Sequence, residues 1–228
     1  KKSILNKIGG DKLILIAAII IVFALFTCLN KNFLTWANMV NLMVAASLVG
    51  LVAVGHTYLI IAGQNDLSPG SLAAFCGTLA ALLLSKNVPF ILTVAVVLLA
   101  GVATGFFNAW MVNKIKLEAF IATLVTQNIM RGFAYIICDG KPVSISNKAY
   151  LTIGKARFLT IPVSVWLMIL AFVVFGFILA KTKFGRSVYA IGGSQEAARL
   201  AGLNPQKIVT SCFVIIGALT ALGGIVFS

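Results

Sequence analysis

Apolar runs of about twenty residues recur from one end of this chain to the other, and they decide its fold class before any motif is read. They fall at 13–29, 39–62, 71–84, 89–112, 118–137, 160–180 and 208–228. Inside a bilayer every backbone N–H and C=O must find a partner within the protein, so only helices or a closed barrel can cross. Barrel strands alternate apolar and polar residues over about ten positions. The runs here are longer and unbroken. The chain is therefore read as an all-α polytopic transmembrane bundle with seven spans, the third (71–84) short enough to be tilted or broken. Composition agrees: 10% of residues are charged, where a soluble domain carries about 25%.

A net charge of +13 raises the question of nucleic acid, but no basic patch is interleaved with aromatics. In a membrane protein the excess reads first as topology, because Lys and Arg collect in cytoplasmic loops. With the N-terminus inside, the segments 1–12, 63–70, 113–117 and 181–207 are cytoplasmic and hold eleven basic residues, against six outside: Lys31, Lys86, Lys141, Lys148, Lys155 and Arg157. The outer loop 138–159 carries four of those six and is expected to lie along the membrane surface. Lys1, Lys2, Lys7 and Lys12 precede the first run as in a signal peptide. The run leads into Asn30-Lys31-Asn32-Phe33 rather than into a small-residue cleavage site, so it is read as an uncleaved span. The chain begins without Met and stops at Ser228 inside an apolar run, which leads us to expect a fragment missing a little at the front and more at the back. We treat 1–228 as one transmembrane domain. Cys28, Cys76, Cys138 and Cys212 are scattered, without metal-ligand spacing, and read as small apolar packing residues.

Three polar features interrupt the apolar pattern. The loop 181–207 is basic and sits between two spans. Within it Gly192-Gly193 gives a flexible approach, Ser194 can cap a short helix, Gln195 and Glu196 suit its first turn, and Gly202 can end it after Ala197-Ala198-Arg199-Leu200-Ala201. Such a helix faces water, as a solvated loop or as a docking element. The stretch 63–71 holds Asp66, one of five acidic residues, and Pro69, which prevents one uninterrupted helix. Asp66 or Ser68 can cap the next helix. The segment is either a capped turn or a broken helix beside a pathway, where unpaired backbone meets a polar ligand. Thr123, Gln127 and Arg131 are spaced i, i+4, i+8 and stack on one helix face, with Asn128 beside them. A charge in the middle of a span costs about 3 kcal/mol. Arg131 is past the middle and can snorkel outward. This stripe points into the bundle or into water, for interhelical hydrogen bonds or for a pathway.

Other groups read as packing or as interface. His56, the single histidine, sits in mid-span. Asn108 and Asn113 end the fourth span and are placed at the membrane interface. Gly101-Val102-Ala103-Thr104-Gly105 and the glycines from Gly217 to Gly224 allow close helix approach. There is no paired carboxylate, Ser-His-Asp set, metal cluster or phosphate-binding loop in the sequence, so no catalytic residue and no metal ligand is assigned, and the chain is read as a non-enzyme.

Several stretches together resemble a bacterial ABC-transporter permease of the ribose/galactose/xylose branch. The run from Thr182-Lys183-Phe184-Gly185-Arg186 to Ser194-Gln195-Glu196-Ala197-Ala198-Arg199-Leu200-Ala201-Gly202 is similar to that branch's loop and coupling helix. Gly63-Gln64-Asn65-Asp66-Leu67-Ser68-Pro69-Gly70-Ser71 is similar to its early Gly-Asp-Leu-Ser-x-Gly-Ser motif. Phe120-Ile121-Ala122-Thr123-Leu124 with Arg131-Gly132 and Asp139-Gly140-Lys141-Pro142 is similar to its central span and outer loop. Two positions depart: Gln64-Asn65 is more polar than is common there, and Glu118 stands where proline is frequent.

The resemblance implies a type II importer permease fold of about ten spans, of which this chain holds seven, with Ser194 to Gly202 contacting a cytoplasmic ATPase. It implies a bacterial inner (plasma) membrane protein that imports a monosaccharide such as ribose, xylose or galactose. The partners implied are that ATPase, an extracytoplasmic sugar-binding protein and a second permease copy or paralogue. ATP and Mg belong to the ATPase, with no cofactor held by this chain and no nucleic acid. The pathway residues expected are Asp66, Ser68, Thr123, Gln127, Asn128 and Arg131. A permease of this architecture for a signal molecule or nucleoside is the alternative. An ion-coupled transporter would need intramembrane acids, and only Asp66 and Glu118 lie near the membrane.

Overall fold

A computed structural model describes residues 10–141, 157–158 and 160–227 of the chain. Lys1, Lys2 and Lys7 and most of the expected surface-lying loop 138–159 lie outside the described residues. All seven apolar segments are helical: α1 (Gly10–Leu29), α2 (Trp36–Ile61), α3 (Pro69–Ser85), α4 (Phe90–Trp110), α5 (Ala119–Ile137), α6 (Val163–Lys181) and, after two short helices, α9 (Pro205–Phe227). Five helical segments are long and apolar enough to cross a membrane, and the apolar part of α1 (Leu13–Leu29) and α3 are shorter. A two-residue hairpin pairs Arg157 with Pro162 and Phe158 with Ile161.

The chain divides into two compact units, 1–43 and 44–228. In the first, Phe33 stacks on Phe26 (5.5 Å between centroids) and meets Phe23 edge-on (5.4 Å). The Asn32 backbone N–H donates to Asn30 Oδ1 in the turn after α1.

The second unit is organised around α9. Its glycines allow backbone-to-backbone approach. A Cβ at Gly217 would collide with the Gly101 carbonyl of α4, one at Gly105 with the Phe213 carbonyl, and one at Gly224 with the Ala73 carbonyl of α3. These contacts are the close packing that small residues permit between helices in lipid, where no water is expelled to drive association. A second core forms where α2, α6 and α9 meet. Tyr58 and Phe213 are fully buried there, and the Tyr58 hydroxyl donates to the Phe175 carbonyl.

The loop 181–207 differs from its sequence reading. Instead of one short helix after a flexible approach it holds two, α7 (Lys183–Gly193) and α8 (Gln195–Leu200). Thr182 starts α7, its Oγ1 accepting from the Gly185 N–H at 3.2 Å. Phe184, Val188 and Ile191 form an i, i+4, i+7 stripe packed on the core of Tyr58 and Phe213 or buried beside it. Gly192 lies directly on the Ile61 carbonyl at the end of α2, where no side chain fits. The glycine pair thus packs and ends a helix rather than hinging one.

α4 continues into a π-helical turn, Met111–Ile115, and Lys116 then takes left-handed backbone angles (φ 66°). Asn113 in this turn donates from Nδ2 to the Gln206 carbonyl (3.0 Å) and to Thr210 Oγ1 (2.9 Å), tying the end of α4 to the start of α9.

Candidate functional site

The helix α8 is built by its own sequence. Ser194 is extended (φ −161°, ψ 116°), and its Oγ accepts from the Ala197 N–H at 3.2 Å. Gly202 closes it with φ +83°, its N–H bonded to the Arg199 carbonyl while Leu203 N–H reaches back to Ala198. Both caps are those expected from sequence. The faces are divided differently from a uniform alanine surface. Ala198 is turned inward, 4% exposed, whereas Leu200 is 87% exposed. Ala197, Ala201, Glu196 and Arg199 are exposed beside Leu200. The outward surface of α8 is therefore Leu200 and the two outer alanines, and Ala198 packs against its own chain.

Three connecting segments meet at this end of the second unit around a cavity of about 420 Å³. The α2–α3 turn contributes Gln64 and Asn65, the α4–α5 turn Lys116 and Glu118, and α8 Gln195 and Arg199. The sequence segments 63–70, 113–117 and 181–207 are thus on one side of the bundle. Gly63 (φ +73°) and Lys116 (φ +66°) supply the left-handed turns that bring the two loops together.

Behind this cavity lies a buried polar network. Asp66 Oδ1 accepts from the Ser68 N–H (2.8 Å) and hydroxyl (2.6 Å). Ser68 Oγ accepts from Asn108 Nδ2 (3.2 Å), and Asn108 Oδ1 accepts from the Thr126 hydroxyl (2.6 Å). Thr123 Oγ1 accepts from the Leu67 N–H (3.1 Å) and donates to the Ala119 carbonyl (2.7 Å). Ser68 precedes Pro69 without a side-chain cap bond to α3; its hydroxyl is used on Asp66 instead. Burial pushes the Asp66 carboxyl above its ordinary range, against the opposing pull of the Ser68 hydrogen bonds and of nearby His56. His56 itself is half-buried.

Of the residues expected along a pathway, the structure brings Asp66, Ser68 and Thr123 together. Gln127 is half-buried, and Asn128 and Arg131 are on the exposed face of α5, with Asn128 Nδ2 donating to the Leu124 carbonyl (2.8 Å). The stripe of Thr123, Gln127 and Arg131 therefore runs from the buried side of α5 to its open side. Asn108, read from sequence as an interface residue, is 1% exposed and stands at the centre of the network. Thr126 joins the network although the i, i+4, i+8 stripe of α5 does not include it. A sequence signal exists for both. Gly101, Thr104, Gly105 and Asn108 form one small, polar face of α4, and Thr126 lies one helical turn beyond Thr123.

The family model described as branched-chain amino acid transport system / permease component matches residues 38–228. The ribose import permease protein RbsC of Haemophilus influenzae is 38% identical over 213 residues, covering 92% of this chain and 66% of the relative. The L-arabinose transport system permease protein AraH of Escherichia coli is 38% identical over 216 residues, 95% of this chain and 65% of the relative. The Bacillus subtilis RbsC is 33% identical over 228 residues, 99% of this chain and 69% of the relative. The chain thus spans about two thirds of the length of these curated relatives. No solved structure is significantly similar to it.

Proposed function

We propose that this chain, which belongs to the family of branched-chain amino acid transport system permease components, is the membrane subunit of an ATP-driven importer for a monosaccharide. The observation that carries the reading is α8: a capped helix held between two spans, with Leu200 almost fully exposed beside a polar cavity. A single exposed leucine needs no partner on its own; here it stands on a capped helix held between two spans and next to the cavity, a place where a docking partner would cover it. That partner is a cytoplasmic ATPase, which holds the ATP and Mg, and this chain transmits its closure. An extracytoplasmic sugar-binding protein and a second permease copy complete the machine. The relatives named for ribose and L-arabinose favour a pentose-like sugar, whereas the family description names branched-chain amino acids.

The protein resides in a bacterial plasma membrane with its N-terminus inside. Lys114, Lys116, Arg199 and Lys207 all belong to the segments at the α8 end, and such an excess marks the cytoplasmic face. Single cysteines at Ser3 and Ser194 in a cysteine-free variant test this: both stay unlabelled by an impermeant reagent applied to intact cells, and labelling of either overturns the orientation. In the assembled machine the exposed face of α5, with Asn128 and Arg131, lines the pathway opposite the second copy. The network of Asp66, Ser68 and Thr123 stiffens its inner end.

The deciding experiment is uptake by the full-length permease reconstituted with its ATPase and binding protein, using radiolabelled ribose, L-arabinose, xylose, galactose and leucine. A sugar signal dependent on the binding protein is expected. Transport of leucine alone overturns the substrate class. Leu200→Glu is expected to leave the permease folded, reduce substrate-stimulated ATP hydrolysis at least tenfold and stop uptake. Intact stimulation in that variant removes α8 from coupling.

A further inference from the structure

A second cavity, a groove of about 700 Å³, runs between the end of α4 and the start of α9. Two facing ladders line it. From α4 and the π turn that continues it come Phe106, Trp110 and Lys114. On α9, Lys207, Ser211 and Ile215 succeed one another at steps of four in the opposite chain direction. Both ladders place a lysine at one end, and both end in apolar side chains at the other. Trp110 and Phe106 are half exposed, at 51% and 53%. The lining contains two lysines and no acidic residue, and among the described residues neither ammonium has a hydrogen-bond or ion-pair partner. The floor is fixed, because the bonds of Asn113 to Gln206 and Thr210 tie the two helices at that level.

This gradient has the polarity of a phospholipid: charge, then hydroxyl and amide groups, then hydrocarbon, along one groove. We propose that the groove binds one anionic phospholipid, its phosphate between Lys114 and Lys207 and its acyl chains along Phe106, Trp110 and Ile215. Charge complementarity selects the anionic headgroup, since a zwitterionic lipid presents its own cation to the two lysines. A basic residue near a membrane surface strengthens anionic lipid binding about fivefold, and Trp is enriched where protein meets the membrane–water interface. The inference does not depend on which solute the protein transports.

The test uses the full-length permease, delipidated in detergent and titrated with phosphatidylglycerol or phosphatidylcholine, with bound lipid read by native mass spectrometry. Wild type is expected to retain phosphatidylglycerol preferentially. Lys114→Gln with Lys207→Gln is expected to weaken that retention roughly twenty- to thirtyfold, two lysines at about fivefold each, and to abolish the preference. The double arginine variant keeps it and shows that the fold tolerates change at both sites. Val214→Trp fills the groove without altering charge and is expected to expel the lipid. Unchanged phosphatidylglycerol retention in the double glutamine variant overturns the proposal, as does wild type that shows no preference for phosphatidylglycerol. Displacement of the lipid by millimolar inorganic phosphate overturns the lipid assignment in favour of a soluble anion. If the glutamine variant fails to fold, Val214→Trp decides alone: full retention there also overturns the site.

Discussion

α6 and α9 are both apolar helices of spanning length, yet 17% of the most apolar window is buried in α6 and 61% in α9. Hydropathy says that each crosses a membrane and nothing about where in the bundle it stands. The difference is in side-chain size. α6 is built from Leu, Ile, Val and Phe with a single glycine, Gly176, which faces open space. α9 intersperses Ser, Thr, Cys, Ala and three glycines, and each glycine touches a neighbour. Large side chains suit lipid, whose tails accept them anywhere; small ones suit a crowded helix, where backbones meet.

The sharpest way to break this comparison is to put the same side chain at both kinds of glycine. Gly217→Leu drives Cδ atoms into the α4 backbone and is expected to destabilise by about 3 kcal/mol or more. Gly176→Leu is expected to stay within about 0.5 kcal/mol of wild type. Thermal unfolding in one detergent measures both, and equal losses would end the argument from size.

Asparagines give a second, smaller pair. Asn108→Ala removes a donor to Ser68 and an acceptor from Thr126, whose hydroxyls keep only Asp66 and the Ala122 carbonyl, at a cost of about 1.5 kcal/mol. Asn128→Ala removes only a bond to the preceding turn on an exposed face, with an expected change below about 0.5 kcal/mol.

The smallest effect concerns Asp66. Its folded-state pKa is raised above the ordinary 3.8, so the folded chain disfavours the ionised form. Stability then falls as pH rises above about 4 and stops falling once the folded value is passed. Asp66→Asn keeps the acceptor for Ser68 and removes the charge. It is expected to flatten the pH dependence of Tm, with Tm equal to or slightly above wild type at pH 7. A steeper profile in the variant would contradict the assignment.

Some of this was legible from the residues alone. The seven apolar segments, Ser194 and Gly202 are local signals: run length, a hydroxyl before a helix, a glycine after it. What escaped depends on residues far apart in the chain. α7 contains glycines, Val188 and Ile191, poor helix formers, and it holds because the end of α2 and the core around Tyr58 receive its apolar stripe. Asn108 sits near the end of an apolar run, where an interface is the natural reading. Its partners are 40 and 18 residues away, and no spacing rule within α4 reveals them. Ala198 and Ala197 are adjacent alanines with identical propensity, and only packing separates the anchored one from the exposed one.

The π turn at Met111–Ile115 carries a consequence for helical phase. A π turn is an α-helix with one residue inserted, so every side chain after it is rotated by about 100° from where an uninterrupted α4 would point it. Asn113 stands inside this turn and meets Gln206 and Thr210 from it. Deleting one residue between Met111 and Ile115 is expected to give the helix an ordinary α-helical end and to turn Asn113 away from Gln206 and Thr210, unlatching α4 from α9. The inserted residue acts as a frame setter: it decides which face of the helix's last turn does the holding.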